Sequence, residues 1–260
     1  MTVNILAIGD VTGQTGIDIL SDKLRGIKKW GNVAFTVVNG ENASGLGVTP
    51  AHAEAILEAG ADVITLGNHT WGVNKICRFL DDCKYILRPA NYAPQVPGRG
   101  WGVIDTSFGS ICVINLIGRV DMPYGSENPF LEADRILRIL KETETNIVLV
   151  DFHAEATSEK NAMAYYLDGR VSALWGTHTH VQTSDCRVFP GAMGYITDLG
   201  MTGPCESVIG MKPDQPISRF LGNPPSRFEP AEGPGKVEGA IFEIDSETGK
   251  CVNVEAVRIT

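Results

Sequence analysis

Gly67-Asn68-His69 sets an amide beside an imidazole immediately after the apolar run Val63-Ile64-Thr65-Leu66. A short apolar run closed by glycine reads as a buried strand, and open α/β sheets hold their ligands at the carboxyl ends of strands. Neighbouring residues of extended backbone point to opposite sides, so Asn68 is placed to reach a metal while His69 faces a substrate. An isolated Asn-His pair is most simply a polar turn, and the remaining histidines argue otherwise. His178-Thr179-His180 follows another apolar run, Val171 to Trp175. Residues i and i+2 of an extended segment share a face about 6.5 to 7 Å apart, a spacing that suits two histidines on two neighbouring metals better than on one. His153 closes the run Ile147 to Val150, after Asp151-Phe152. Four of the chain's five histidines thus fall at predicted strand ends, in company with Asp10, Glu41, Asn42 and Asn68. The fifth, His52, lies in a predicted helix and reads as a surface residue.

Imidazole, carboxylate and amide ligands together suit iron, manganese or zinc rather than calcium or magnesium. Two divalent ions balanced by Asp10, Glu41 and a bridging hydroxide leave a charge of about +1, a positive pocket matched to a phosphate. Paired metals bring the pKa of a bridging water near neutrality and clamp the oxygens of an in-line displacement. His69, adjacent to a ligand and facing outward, is placed to protonate the leaving oxygen as general acid.

The elements that must position these groups alternate along the chain. Val3 to Ile8 reads as a strand, followed by Gly9-Asp10-Val11-Thr12-Gly13 and by Ile17, Leu20, Leu24 and Ile27 at helical spacing. Val33 to Val38 is a second strand that ends at Asn39-Gly40-Glu41-Asn42, and Thr49-Pro50 is a helix start with a capping hydroxyl and proline in the first turn, the helix ending near Gly60. This order implies βαβ units around a parallel sheet core. Cys77 to Trp101 reads as an ordered surface loop bordering a site. Later come strands at Ile111 to Ile117 and Ile147 to Val150, between them a helix of about 14 residues that follows the loop Gly118 to Pro129 and carries Leu131, Ile136, Leu137, Ile139 and Leu140, and another helix near Glu159 to Leu167. Two alternating strands at Val237 to Ile244 and Val252 to Ile259 follow a long connection, Gly203 to Gly235, expected to be ordered against the body. Neither a repeat nor a boundary divides the chain, so a single domain over 1–260 is expected.

With 260 residues, 43% hydrophobic and 20% charged, the composition is that of an ordinary globular protein able to bury a substantial core. No apolar run approaches the roughly 18 residues of a membrane helix, and the first residues lack the features of a signal peptide. A cytoplasmic protein is expected, its six scattered cysteines reduced. A net charge of -9 repels long nucleic acids and leaves a small phosphorylated partner held at a local positive site.

Gly9-Asp10, Asn39-Gly40-Glu41-Asn42, Gly67-Asn68-His69, Asp151-Phe152-His153 and Gly176-Thr177-His178-Thr179-His180 resemble the calcineurin-like metallophosphoesterases. Arg88-Pro89-Ala90-Asn91-Tyr92, Phe152-His153-Ala154-Glu155-Ala156-Thr157-Ser158-Glu159-Lys160 and Thr197-Asp198-Leu199-Gly200-Met201-Thr202-Gly203 resemble more closely the bacterial YmdB-like phosphodiesterases, of the 2',3'-cyclic-nucleotide 2'-phosphodiesterase type. Thr12 stands where the wider superfamily has histidine and Glu41 where it has aspartate, both as in the YmdB-like branch. The resemblance implies an α/β fold, a four-layer sandwich of two mixed sheets flanked by helices. It implies Asp10, Glu41, Asn42 and His180 around one metal, with Glu41 bridging to a second that Asn68, His153 and His178 complete, iron or manganese before zinc and divalent or mixed-valence. His69 is then the catalytic acid, and the substrates are small cyclic nucleotides with 2',3'- or 3',5'-phosphates.

Two other readings compete. A phosphomonoesterase or nucleotidase would use the same centre, although a dianionic monoester overshoots a pocket of about +1 that a monoanionic diester matches. A regulatory nucleotide-binding protein would use its metals only structurally, but structural sites are normally closed by protein ligands. Trp71, Trp101, Tyr92 and Tyr124 are candidates for a base-stacking wall or a subunit contact, with core packing the simpler reading of each, and a homo-oligomer is expected.

Overall fold

The computed structural model describes residues 1–122 and 125–260, so that Tyr124 lies outside the described residues. In chain order the elements are Thr2–Ile8 (β1), Asp10–Val11 (β2), Gly13–Trp30 (α1), Val33–Asn39 (β3), Pro50–Ala59 (α2), Val63–Thr65 (β4) and Ile76–Asp82 (α3). Ile86–Leu87 (β5), Trp101–Thr106 (β6), Gly109–Ile117 (β7), Pro129–Leu140 (α4), Ile147–His153 (β8), Thr157–Leu167 (α5) and Ala173–Thr177 (β9) follow. The chain ends with Arg187–Val188 (β10), Gly194–Ile196 (β11), Met201–Pro204 (β12), Asp214–Phe220 (α6), Gly235–Asp245 (β13) and Cys251–Ile259 (β14).

A strand covered on both faces must be apolar on both, and β1 and β8 show how that builds layers. Val3, Ile5 and Ala7 of β1 point into the core between two sheets, whereas Leu6 and Ile8 face the helix side with Leu20 and Leu24 of α1. Ile147 and Leu149 of β8 point into the same inter-sheet core, and Val148, Val150 and Phe152 pack on the far side with Ile136 of α4 and Met163 of α5. The result is helices, sheet, sheet, helices: the four-layer sandwich expected. Among the described residues the first sheet runs β2-β12-β13-β1-β3-β4-β5, with β14 on β13, and the second runs β10-β11-β9-β8-β7-β6. The second has a parallel centre, β7-β8-β9-β11, with β6 and β10 antiparallel at its edges; in the first, the parallel run β1-β3-β4-β5 and the parallel pair β2-β12 are joined through β13, which is antiparallel to β1, β12 and β14. No helix among the described residues is long and apolar enough to cross a membrane. All six cysteines are free.

The cap expected for α2 is present: Thr49 Oγ1 accepts the His52 N–H at 3.1 Å, with Pro50 in the first turn and Gly60 (φ 121°) closing the helix. The segment expected to be loop from Cys77 to Trp101 instead carries α3 and β5. Ile76 and Leu80, one helical turn apart, bury a single stripe, and so short a pattern gives no periodicity to read. The long connection from Gly203 to Gly235 lies against the body, its Pro230 filling the space beside Gly13 and Gly45.

Gly26 lies exposed within α1, and a Cβ there meets nothing within 4 Å. Glycine in a helix interior costs about 0.5–1 kcal/mol relative to alanine. Gly26→Ala is therefore expected to stabilise the chain by about that amount, read as a raised midpoint in thermal or urea unfolding.

Candidate metal centre

Parallel strands deliver their carboxyl ends to one edge of a sheet, and two such sheets face to face deliver two sets to one place. Asp10 follows β1, Glu41 and Asn42 follow β3, and Asn68 and His69 follow β4; His153 ends β8, and His178 and His180 follow β9. The structure brings all eight together. His153 Nε2 lies 3.0 Å from Glu41 Oε1, 2.9 Å from Asn68 Oδ1 and 3.0 Å from His178 Nδ1. His180 Nε2 lies 3.7 Å from Asp10 Oδ1 and 3.1 Å from Asn42 Nδ2, whose amide also donates to Glu41 Oε1 at 3.1 Å. Asp10 Oδ2 accepts the His178 N–H at 3.2 Å, and Glu41 Oε2 accepts the His69 N–H at 3.0 Å. His52 on α2 makes no contact with this cluster among the described residues.

The hydrogen bonds behind the cluster decide which imidazole nitrogens face it. The Ile209 carbonyl can only accept, so His180 Nδ1, 2.8 Å away, carries the hydrogen and Nε2 presents a lone pair to Asp10 and Asn42. Thr177 Oγ1 donates to Asp151 Oδ1 at 2.8 Å and therefore accepts from His153 Nδ1 at 2.9 Å, which turns His153 Nε2 toward Glu41. Thr65 Oγ1 and Asn39 Nδ2 also donate to Asp151, which is fully buried. His178 Nε2 meets Glu155 Oε2 at 3.2 Å, leaving Nδ1 for the cluster. The supports Asp151, Thr177, Thr65 and Asn39 are not singled out by the sequence pattern; each lies at or near a strand end within three residues of an assigned residue, and that proximity is the signal available for them.

These residues fit cations. A carboxylate oxygen, an amide oxygen and an imidazole nitrogen converge on His153 Nε2, and only a proton or a metal satisfies so many electron pairs at once. Glu41, His153 and His178 each offer an atom within 4.8 Å of the others. Asp10 Oδ1 is buried without a hydrogen-bond partner, an orphaned acceptor aimed at the same space. Rotation of the Asn42 amide would put its oxygen where its nitrogen now meets Glu41 and His180. Without metal, burial opposes charge on His153, but Glu41, Asp10 and Asp151 outweigh it and push its pKa up to about 9. Burial likewise works against ionised Glu41, yet His153 holds it down to about 2. Burial pushes Asp10 up to about 6, and burial together with His153 holds His178 down to about 3. His69 is half-buried, and burial lowers its pKa against the pull of Glu41.

Two local geometries differ from expectation. Asn68 and His69 occupy a turn after β4 rather than extended backbone, and their separation comes from that turn. His178 and His180 have φ of 101° and 62°, so the His-Thr-His segment is bent and its two imidazoles do not share one strand face. Gly67 is required by crowding, because a Cβ there would overlap the His153 ring and Glu41 Oε2. Among the aromatic candidates, the Trp71 and Tyr92 rings come within 6.3 Å of each other, and Tyr92 is pushed up to about 12 by burial and then by Glu41, which places it beside the cluster. Trp101 packs instead against the core under α4.

Comparison with known proteins agrees with this architecture. The 2',3'-cyclic-nucleotide 2'-phosphodiesterase of Bacillus subtilis (strain 168) is 43% identical over 258 residues, covering 99% of this chain and 97% of that protein. The crystal structure of a novel phosphatase from Mycoplasma pneumoniae superposes with a TM-score of 0.93 at 35% identity, covering 100% of this chain and 94% of that one. That of a hypothetical protein from Thermus thermophilus gives 0.91 at 35% identity over 99% of both. The four layers are those of the metallophosphoesterase fold. The model of the YmdB-like protein family matches residues 6–257, a span that includes every residue of the cluster. The chain therefore belongs to the YmdB-like family.

Proposed function

We infer that residues 1–260 act as one metallophosphoesterase domain, a dinuclear metal-dependent phosphodiesterase that hydrolyses small cyclic nucleotides carrying 2',3'- or 3',5'-phosphates. The chain is a hydrolase of phosphate esters, and the finer reading is supported chiefly by the convergence of Asp10, Glu41, Asn42, Asn68, His153, His178 and His180 around the orphaned Asp10 Oδ1. Asp10, Glu41, Asn42 and His180 would hold one ion, and Glu41, Asn68, His153 and His178 the other; the mixed donors suit iron, manganese or zinc, and the family resemblance puts iron or manganese first. When bound, such ions supply Lewis-acid polarisation of the phosphate and a water acidic enough to ionise near neutral pH.

The protein's own groups do the rest. Glu41 and Asp10 set the pocket's net charge at about +1 with two divalent ions and a hydroxide, which favours a monoanionic diester. His69 is held by its main-chain N–H on Glu41, so its ring is free of any hydrogen bond among the described residues and can give a proton to the leaving ribose oxygen. Tyr92 lies near Glu41, with the Trp71 ring 6.3 Å from its own, and the two are the candidates to meet the rest of a nucleotide.

The description of the Mycoplasma pneumoniae relative as a phosphatase favours a second reading, a phosphomonoesterase on the same centre. Side-by-side assays of 2',3'-cyclic AMP, 3',5'-cyclic AMP and the open monophosphates separate the two. At least one cyclic ester should show a kcat/KM about tenfold or more above the monoesters; the reverse order would replace this reading with the second. Light scattering on the eluted protein reads the expected homo-oligomer.

A further inference from the structure

Lys160 and Asp198 form an ion pair at 2.7 Å with both side chains 1% exposed, and no step assigned above uses either. A buried pair of this kind adds little net stability, since desolvation of the two charges offsets their attraction. What Asp198 touches is more specific. Its Oδ2 accepts the Thr179 N–H at 3.1 Å and the Thr179 hydroxyl at 2.8 Å in addition to Lys160 Nζ, and its Oδ1 accepts the Gly200 N–H at 2.9 Å. Thr179 is the residue between the two cluster histidines. Asp198 is itself fixed, because its N–H donates to Thr183 Oγ1 at 2.9 Å and its carbonyl accepts from the Thr183 N–H at 3.1 Å.

We propose that the Lys160–Asp198 pair is a positioning device for the metal-binding histidines, drawing Thr179 inward so that His178 and His180 project outward into the cluster. The inference rests on the metal reading above. The need for such a device is visible in the backbone: His178 and His180 both sit at positive φ, a conformation that non-glycine residues hold only when their surroundings impose it. The surroundings here are three anchors: Asp10 on the His178 N–H, Ile209 on His180 Nδ1, and Asp198 on both polar groups of Thr179. Only the last holds the middle of the bend. Three donors converge on that one carboxylate oxygen, and the Lys160 ammonium at 2.7 Å is the opposite charge beside it in a dry setting. The lysine stem reaches it past Gly176, where a Cβ would stand 2.8 Å from Lys160 Cδ. Removing the pair should therefore loosen the loop that carries two of the seven ligands.

Manganese(II) binding to the metal-stripped protein tests this. The informative variant removes both charges together, Lys160→Met with Asp198→Asn, because a single replacement strands a buried charge whereas an amide of the same shape keeps an acceptor oxygen for the donors of Thr179 and Gly200. Urea unfolding near the wild-type midpoint with Mn²⁺ affinity reduced about 10–100-fold is the expected result. Thr179→Val, which removes only the hydroxyl, should weaken Mn²⁺ about fivefold and decides the matter if the double variant does not fold. Affinities within twofold of wild type in a folded variant overturn the inference and leave the metal reading standing. A wild-type chain that takes up no Mn²⁺ overturns both.

Discussion

The chain with His69→Ala is expected to keep its metal and lose about 10²–10⁴-fold in turnover of a cyclic nucleotide, the span that removal of a general acid produces. Metal retention follows from how His69 is attached. Its contact with the cluster is the main-chain N–H on Glu41 Oε2 at 3.0 Å, which alanine preserves, while the imidazole supports no ligand. The size of the loss should depend on the leaving group. A ribose oxygen departs poorly without a proton, whereas nitrophenolate departs as a stable anion, so bis(p-nitrophenyl) phosphate should lose far less than 2',3'-cyclic AMP. Elemental analysis together with paired kcat values on the two esters checks the prediction. Equal losses on both would remove His69 from the role of acid, and metal loss would make it a structural residue.

The second large effect is expected from a methyl group. Gly67→Ala should reduce metal affinity by about 10–100-fold and destabilise the fold by about 1–3 kcal/mol. The new Cβ would overlap the His153 ring and Glu41 Oε2, and neither can step aside. Glu41 Oε2 is bonded to the His69 N–H, and the His153 ring is fixed through Thr177 to the buried Asp151. Relief by moving either side chain breaks one of these bonds and displaces a proposed metal ligand. Isothermal titration with Mn²⁺ and urea unfolding measure both parts. Gly26→Ala is the matched control, since the same methyl group there enters open space and stabilises.

Features set by neighbouring residues were legible in the sequence, and those set by distant ones were not. The apolar runs of β1, β3, β4, β8 and β9 could be read because strands buried on both faces have few polar positions, and the residue types at their carboxyl ends marked the cluster directly. The four layers followed from the family resemblance and agree with the way β1 and β8 divide their side chains between two cores. Backbone shape at the site was hidden. Reading His178-Thr179-His180 as extended was reasonable for residues after an apolar run, but the bend depends on Asp198, Asp10 and Ile209, each at least 19 residues away in sequence. The supports of His153 were hidden for the same reason: Thr65, Asn39 and Thr177 meet at Asp151 only once the two sheets face each other. Helix α3 was missed because its seven residues bury just Ile76 and Leu80, too few repeats to tell from a loop.

The antiparallel pairing of β1 with β13, from Thr2 opposite Asp245 to Ile8 opposite Gly239, also sets a timetable for synthesis. The strand that presents Asp10 gains its neighbour on that side only after the ribosome has passed residue 245. Such distant pairings close late, so a nascent chain that already carries its last cluster histidine, His180, would still lack the means to grip an ion until β13, Gly235–Asp245, has followed. Chains released after residue 234 should be readily proteolysed and should retain no Mn²⁺ on a desalting column. Ion retention by these fragments would mean that the centre matures before its sheet is complete.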